Sequence, residues 1–306
     1  MSLIVLDPGL ASRIVDFGRP HTRSLGVPVG GAADRRSLML GNSLIGNPPD
    51  APALEIALKG PTLRADADVA WVLFGAPFEM AMDPWWLDEI PGNRTRTLSA
   101  NEELHIGGTF CGARAYLCVR GGFEVPMILG SRSALEPIKK NDILSCATST
   151  IRGRFCRDVQ ADFLSPVTVA VLPGLQTEWF DESGFYQQTF TVTPASNRMG
   201  LRLQGNPLTM PDREMISEPV CPGAIQVTRD GQCIVLGVDG QTIGGYPKIA
   251  QVIHADLDML GQLRPGQQIV FKKVSMEEAV QRDRQARAEL RYWSMRLRLS
   301  MQAFPS

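Results

Sequence analysis

Residues 239–248 read Asp-Gly-Gln-Thr-Ile-Gly-Gly-Tyr-Pro-Lys, gathering a carboxylate, an amide, a hydroxyl, a phenol and an ammonium in one short segment. The segment follows an apolar run at 233–238 that reads as a buried strand. Adjacent glycines permit backbone geometry that a side chain would forbid, and Pro247 fixes the exit. Asp239, Gln241, Thr242, Tyr246 and Lys248 can then face one small volume, where they act on a ligand or satisfy one another. Familiar catalytic signatures are absent: there is no Gly-x-x-x-x-Gly-Lys-Ser/Thr loop, no Gly-x-Ser-x-Gly and no His-Glu-x-x-His. Of three histidines, His105 and His254 fall in strand-like contexts that favour a structural, hydrogen-bonded role, and His21 stays open.

The elements that must carry such a loop are mostly strands. Short apolar runs at 69–74, 115–119, 167–172 and 269–271 are bounded by Gly, Pro or Arg-Gly-Gly. With 29 glycines and 22 prolines as punctuation, a sandwich or barrel is favoured over a doubly wound sheet. One early helix is expected over 34–44, capped by Asp34 and stopped by Gly46. The segments 98–106 and 263–271 share a pattern of polar turn followed by alternating apolar positions, a weak echo of two similar halves. A polar stretch at 148–162 reads as the linker between them, giving domains at 1–150 and 163–274. The tail at 275–306 is different: Ser275 and Glu278 form a capping box, and Ala279, Ala286, Leu290, Trp293 and Leu297 fall on one helical face. Six arginines between 282 and 298 put charge on the opposite face, read as solvated.

Composition narrows the function classes. A chain of 306 residues with 44% hydrophobic and 21% charged residues has the balance of a globular protein long enough for two domains. A formal net charge of −1 supplies no global attraction to nucleic acid or to an anionic membrane. The longest strongly apolar run, 69–78, is far short of the roughly 20 residues of a spanning helix. No basic leader opens the sequence, so a cytoplasmic location is expected. Six scattered cysteines without a Cys-x-x-Cys pair match neither a zinc site nor a disulfide framework, and no metal is expected.

The loop stands in a longer series of blocks. They include Val15-Asp16-Phe17-Gly18-Arg19-Pro20, then Gly30-Gly31-Ala32-Ala33-Asp34, then Tyr116-Leu117-Cys118-Val119-Arg120-Gly121-Gly122-Phe123. Later come Ser196-Asn197-Arg198-Met199-Gly200, then Pro222-Gly223-Ala224-Ile225-Gln226-Val227, then residues 239–248. In this order, over roughly residues 3 to 280, the sequence resembles the biotin-dependent carboxyltransferase-like family. That family includes the KipA-like proteins, the C subunit of prokaryotic 5-oxoprolinase and a region of urea carboxylase. Three departures concern substrate identity rather than fold. Gly240 and Ile243 replace usual residues of the loop, Gly30 stands where a serine is common, and the segment after Arg132 is short.

The resemblance implies a mainly β fold of two cyclophilin-like β-barrel domains, here with a few short helices and a C-terminal α-helix. It implies a pocket for a small substrate bearing a carboxylate and an amide, which needs a cation, carbonyl donors and a proton-transfer group. Arg198 and Arg19 are the cation candidates, Lys248 and Tyr246 the donors to a developing oxyanion, and Asp239 or Asp16 the base. Gln226, Asp34, Thr242, Gly244 and Gly245 complete the expected binding set. For Asp16 and Arg19 a buried ion pair is an equal alternative. The activity implied is ATP-dependent opening of 5-oxoproline to glutamate. It is shared with the KipI-like B subunit and the A subunit of 5-oxoprolinase, with ATP bound by this chain or a partner. The alternatives are a carboxyltransferase half that takes carboxybiotin to urea or a related amide, and a non-catalytic KipA-like regulator.

Overall fold

The computed structural model describes residues 1–83, 92–156 and 166–303. The fold is mainly β, and the chain divides into two compact units. The first comprises Met1–Gly18, Asp34–Asp162 and Glu289–Ser306, the second Arg19–Ala33 and Phe163–Ala288.

The first unit contains β1 (Ser2–Asp7), β2 (Ala11–Val15), α1 (Arg35–Ile45), β3 (Ala53–Ala57), β4 (Thr62–Ala65) and β5 (Val69–Gly75). These are followed by β6 (Phe78–Asp83), β7 (Arg96–Leu98), β8 (Glu103–Thr109), β9 (Arg114–Val119) and β10 (Ile143–Ser145). Hydrogen bonding arranges them as two five-stranded sheets, β10-β1-β4-β8-β6 and β2-β3-β9-β5-β7, which share one apolar core. Strands β5 and β9 read as unbroken apolar runs because both their faces are covered. Trp71, Leu73, Leu117 and Val119 enter the core, while Phe74 and Cys118 meet α1. A Cβ on Gly41 of α1 would lie 2.9 Å from both Cys118 Sγ and Phe74 Cβ, so the helix can approach only without one. Asp34 caps α1 as its sequence indicates, accepting from Ser37 N at 2.9 Å, and Gly46 ends it at φ 89°. Tyr116 ties that cap to the sheet: its hydroxyl accepts from Asp34 N at 2.7 Å and donates to buried Glu55 at 2.8 Å.

In the second unit the strands are β11 (Val167–Pro173), β12 (Phe190–Val192), β13 (Gly200–Gln204), β14 (Glu218–Pro219) and β15 (Ala224–Val227). They continue with β16 (Cys233–Leu236), β17 (Ile243–Gly244), β18 (Lys248–Val252) and β19 (Gln268–Lys273). Seven of them close a barrel in the order β11-β18-β15-β16-β13-β12-β19, sealed by the parallel β11–β19 pair, while β14 and β17 form a separate ribbon. Val169, Val171, Ile225, Val227, Val235 and Ile269 fill the barrel, alternating with outward residues. Phe185, from α2 (Glu182–Tyr186), stacks on Phe271 at 5.0 Å. A short α3 (Leu257–Leu260) precedes β19.

The long helix α4 (Met276–Ala303) has the expected start, Glu278 N donating to Ser275 Oγ at 3.1 Å. Its 28 residues extend about 42 Å. Ala279 packs with Ala170, Ile253 and Val274 in the second unit, and residues from Glu289 belong to the first, where Leu297 is buried. Pairs Arg282–Glu278 and Arg287–Asp283 offset part of its positive charge. Among the described residues no helix is long and apolar enough to cross a membrane. His105 and His254 are bonded to Thr62 and Asp283.

The compact units are discontinuous in sequence. Residues 19–33 join the second unit because Gly30 N donates to Val238 O at 2.9 Å and Arg198 Nη2 to Gly31 O at 2.6 Å. The described part of the expected linker is bound rather than loose. Thr95 Oγ1 accepts from Arg154 N at 2.9 Å and Cys156 N donates to Asn93 O at 3.0 Å; residues 157–162 lie outside the described residues.

Candidate functional site

The loop after β16 is closed by a clamp. Arg198 grips Asp239 in a fork, Nε to Oδ2 at 2.7 Å and Nη2 to Oδ1 at 2.9 Å, while Asp239 N donates to Arg198 O at 3.1 Å. The expected cation and the expected base are therefore each other's partners. Gly30 lies against the same clamp: a Cβ there would be 3.2 Å from Arg19 Nη1 and 3.7 Å from Asp239 Oδ1, and its φ is +63°. Arg19 is buried beside it. Gly240 is required by close approach, since a Cβ would meet the carbonyls of Gly237 and Met199 at 2.9 Å. The departure at this position thus accompanies a tight turn.

The rest of the loop covers the outer face of the barrel. Ile225 and Val227 point into the core, so Gln226 between them points out. Across the strand pair its partner is Lys248, and the register shifts at Ile225/Gln226. Ile249 and Ala250 both belong to the core cluster, so this bulge places Lys248 opposite Gln226 on the outer face. Both residues are buried, Gln226 at 1% and Lys248 at 6% exposure. Among the described residues, Gln226 Nε2 and Lys248 Nζ make no hydrogen bond of good geometry. Lys248 Nζ nevertheless sits 2.6 Å from Glu218 Oε2, a close salt bridge. That ammonium, with the bond from Gln176, keeps Glu218 below the usual carboxylate range, although burial acts against it.

Gln226 also lines a cavity of about 220 Å³ with Gln241, Tyr246, Asn197, Arg202 and Ile234. Gln241 Nε2 approaches Gln226 Oε1 at 3.5 Å. A Cβ on Gly244 would overlap Gln226 Nε2, so glycine makes room for that amide. Gly245 faces Ser217 Oγ, and Thr242, buried, accepts from Val220 N at 2.9 Å through its carbonyl. Tyr246 is 37% exposed and flanks the opening.

The second unit thus gathers Arg19, Arg198, Gln226, Asp239, Thr242, Gly244, Gly245, Tyr246 and Lys248. Asp16 and Asp34 belong to the first unit, and each has local work there. Asp34 caps α1, its carboxylate bonded to Ser37. Asp16 accepts from Ser131 Oγ at 2.5 Å, Arg132 N at 2.6 Å, Ser133 Oγ at 2.7 Å and Gly18 N at 2.8 Å. Burial acts to raise its pKa, but these bonds together hold it below the ordinary carboxylate range, which suits a clamp better than a base. No sequence signal pointed to Glu218 or Gln176, which lie outside the loop and match no motif. All six cysteines are free; burial pushes Cys146 to about 11 and Cys233 to about 12, consistent with packing roles.

Residues 25–273 match the family described as carboxyltransferase domain, subdomain A and B. The chain is 35% identical to the C subunit of 5-oxoprolinase from Escherichia coli (strain K12), over 96% of this chain and 98% of that one. It is 33% identical to the C subunit of 5-oxoprolinase from Haemophilus influenzae, over 90% and 92%. The crystal structure of K. lactis urea amidolyase matches 95% of this chain with a TM-score of 0.86 at 27% identity, the match spanning 20% of that longer protein. The loop, the barrel that carries it and these similarities agree: this chain belongs to the carboxyltransferase domain, subdomain A and B, family.

Proposed function

We propose that this chain is the C subunit of an ATP-dependent 5-oxoprolinase and supplies part of the substrate pocket for opening 5-oxoproline to glutamate. The observation that carries the reading is two buried donors on directly opposed residues: Gln226 Nε2, without a hydrogen-bond partner among the described residues, and Lys248 Nζ, whose ammonium is paired with Glu218 and has further N–H groups to offer. A buried donor left unpaired costs about 1–3 kcal/mol, so the Gln226 amide calls for an acceptor ligand, with the Lys248 ammonium on the opposed residue. A lactam carbonyl and a carboxylate are such acceptors. Near end-to-end similarity to two proteins named as C subunits of 5-oxoprolinase supports the same reading.

In this reading Lys248 and Gln226 bind and polarise the lactam oxygen, and Tyr246 donates from the cavity mouth. Arg198 and Asp239 hold the loop in shape. The cavity does not fit ATP: about 220 Å³ is below the roughly 300–1,000 Å³ of drug-sized ligand sites, and among the described residues Arg202 is the one cation that lines it. In this reading nucleotide binding falls to the KipI-like B subunit or to the A subunit. A cytoplasmic location goes with this assignment.

A second reading, transfer of a carboxyl group from carboxybiotin to urea or a related amide, is favoured by the similarity to K. lactis urea amidolyase. A ureido carbonyl would meet the same two donors. The test is glutamate release from 5-oxoproline and ATP by this chain with the A and B subunits, each of the three omitted in turn. Release that stops when this chain is left out supports the proposal. A stable complex without release rejects it and favours the amide carboxylation reading or a KipA-like regulator.

A further inference from the structure

Lys248 is buried on the outer face of the barrel, where its neighbours aim it. Its backbone is fixed by Gln176: Gln176 N donates to Lys248 O at 3.1 Å and Lys248 N donates to Gln176 Oε1 at 3.0 Å. The same Gln176 turns its amide to Glu218, Nε2 to Oε2 at 3.4 Å, and that oxygen is the one 2.6 Å from Lys248 Nζ. Glu218 is placed by the ribbon, where it stands opposite Gly244 of β17, the glycine that makes room for Gln226. One carboxylate therefore links Lys248, Gln176 and the ribbon that covers the outer face of the barrel. Among the described residues Glu218 is the charged group paired with Lys248; Gln176 and the cross-strand Gln226 are uncharged.

We propose that Glu218, oriented by Gln176, is a positioning residue that holds the Lys248 ammonium on the outer barrel face that Gln226 shares. Glu218 takes up one side of the ammonium, which carries three N–H donors, so the others stay available to an acceptor ligand. Removing the carboxylate leaves a buried cation without its partner, and the side chain then turns toward water. Shortening the side chain in Glu218→Asp retains charge and loses reach.

This inference rests on the proposed role of Lys248, so its test has one arm that needs no turnover. In the isolated chain, acetic anhydride labelling followed by peptide mass spectrometry compares Lys248 with exposed Lys272 as an internal reference. Wild-type Lys248 is expected to be protected, and Glu218→Gln to raise its labelling rate about tenfold or more, with Glu218→Asp between them. Equal Lys248 labelling in wild type and Glu218→Gln, at equal Lys272 labelling, overturns the proposal whatever the substrate is. In the reconstituted complex, Glu218→Gln is expected to lower kcat about 10- to 100-fold with little change in KM. Glu218→Asp should restore part of the rate. A wild-type rate and KM in Glu218→Gln also overturn it. A wild-type complex that releases no glutamate, alongside the expected labelling, rejects the oxoprolinase reading and leaves the positioning role standing.

Discussion

Replacing Asp16 with asparagine separates the clamp that the structure shows from the base that the motif resembles. One carboxylate accepts four hydrogen bonds, two from serine hydroxyls and two from backbone N–H groups, and joins the end of β2 to residues 131–133. A hydrogen bond to a charged group contributes about 1.5–3 kcal/mol when well buried. Asp16 is only half-buried, so solvent screening removes much of that, and asparagine retains one acceptor oxygen. The variant's amide would also face donors. A net loss of about 2 kcal/mol follows, or about 4–8 °C in the midpoint of a unit of this size. The pH dependence has a definite sign. The folded-state pKa of Asp16 lies below its unfolded value, so its stabilisation is present above the unfolded value and is lost as pH falls through the folded one. The stability gap between wild type and Asp16→Asn should hold from pH 7 to about pH 5 and narrow progressively below about pH 4. Urea unfolding at several pH values measures it. A gap that does not narrow as pH falls below about 4, or a loss of activity at unchanged stability, refutes the clamp and returns Asp16 to the chemistry.

Three further outcomes follow from the geometry. Gly244→Ala should push the Gln226 and Gln241 amides aside, because the new methyl would overlap the first and lie 2.8 Å from the second. These are the ends of flexible side chains, so steady-state kinetics should show a KM raised about tenfold while thermal unfolding shifts little. Gly41→Ala gains about 1 kcal/mol of helix propensity but drives a methyl into Phe74 Cβ and Cys118 Sγ, with an overpacking cost of about 1–3 kcal/mol. The clash is with a packed sheet rather than a loose chain end, so denaturant unfolding should register net destabilisation. Asp239→Asn breaks the fork with Arg198 and should lower turnover at least about tenfold, with binding to the partner subunits retained in size-exclusion chromatography.

Much of this protein is written locally. Strand runs bounded by Gly and Pro, the Asp34 cap with its Gly46 stop, and the capping box at Ser275 are decided by dihedral preference and by short-range hydrogen bonds, so each can be read without the fold. The clustering of Asp239, Tyr246 and Lys248 was equally visible, because they share one loop. What pairs with them was not. Arg198 stands 41 residues from Asp239, and its partnership shows only once β13 and β16 lie side by side. Glu218 and Gln176 reach Lys248 across ladders that no spacing encodes, and the bulge that places Lys248 opposite Gln226 is a property of two strands together. Asp16 shows the reverse. Its motif pointed to a site, but two serines more than a hundred residues away complete its hydrogen bonding and make it a clamp. Local sequence determines which segments become strands, turns and caps, since those depend on near neighbours. Which charge meets which, and which donor is left for a ligand, is settled by long-range pairing, because only the closed barrel brings those groups within bonding distance.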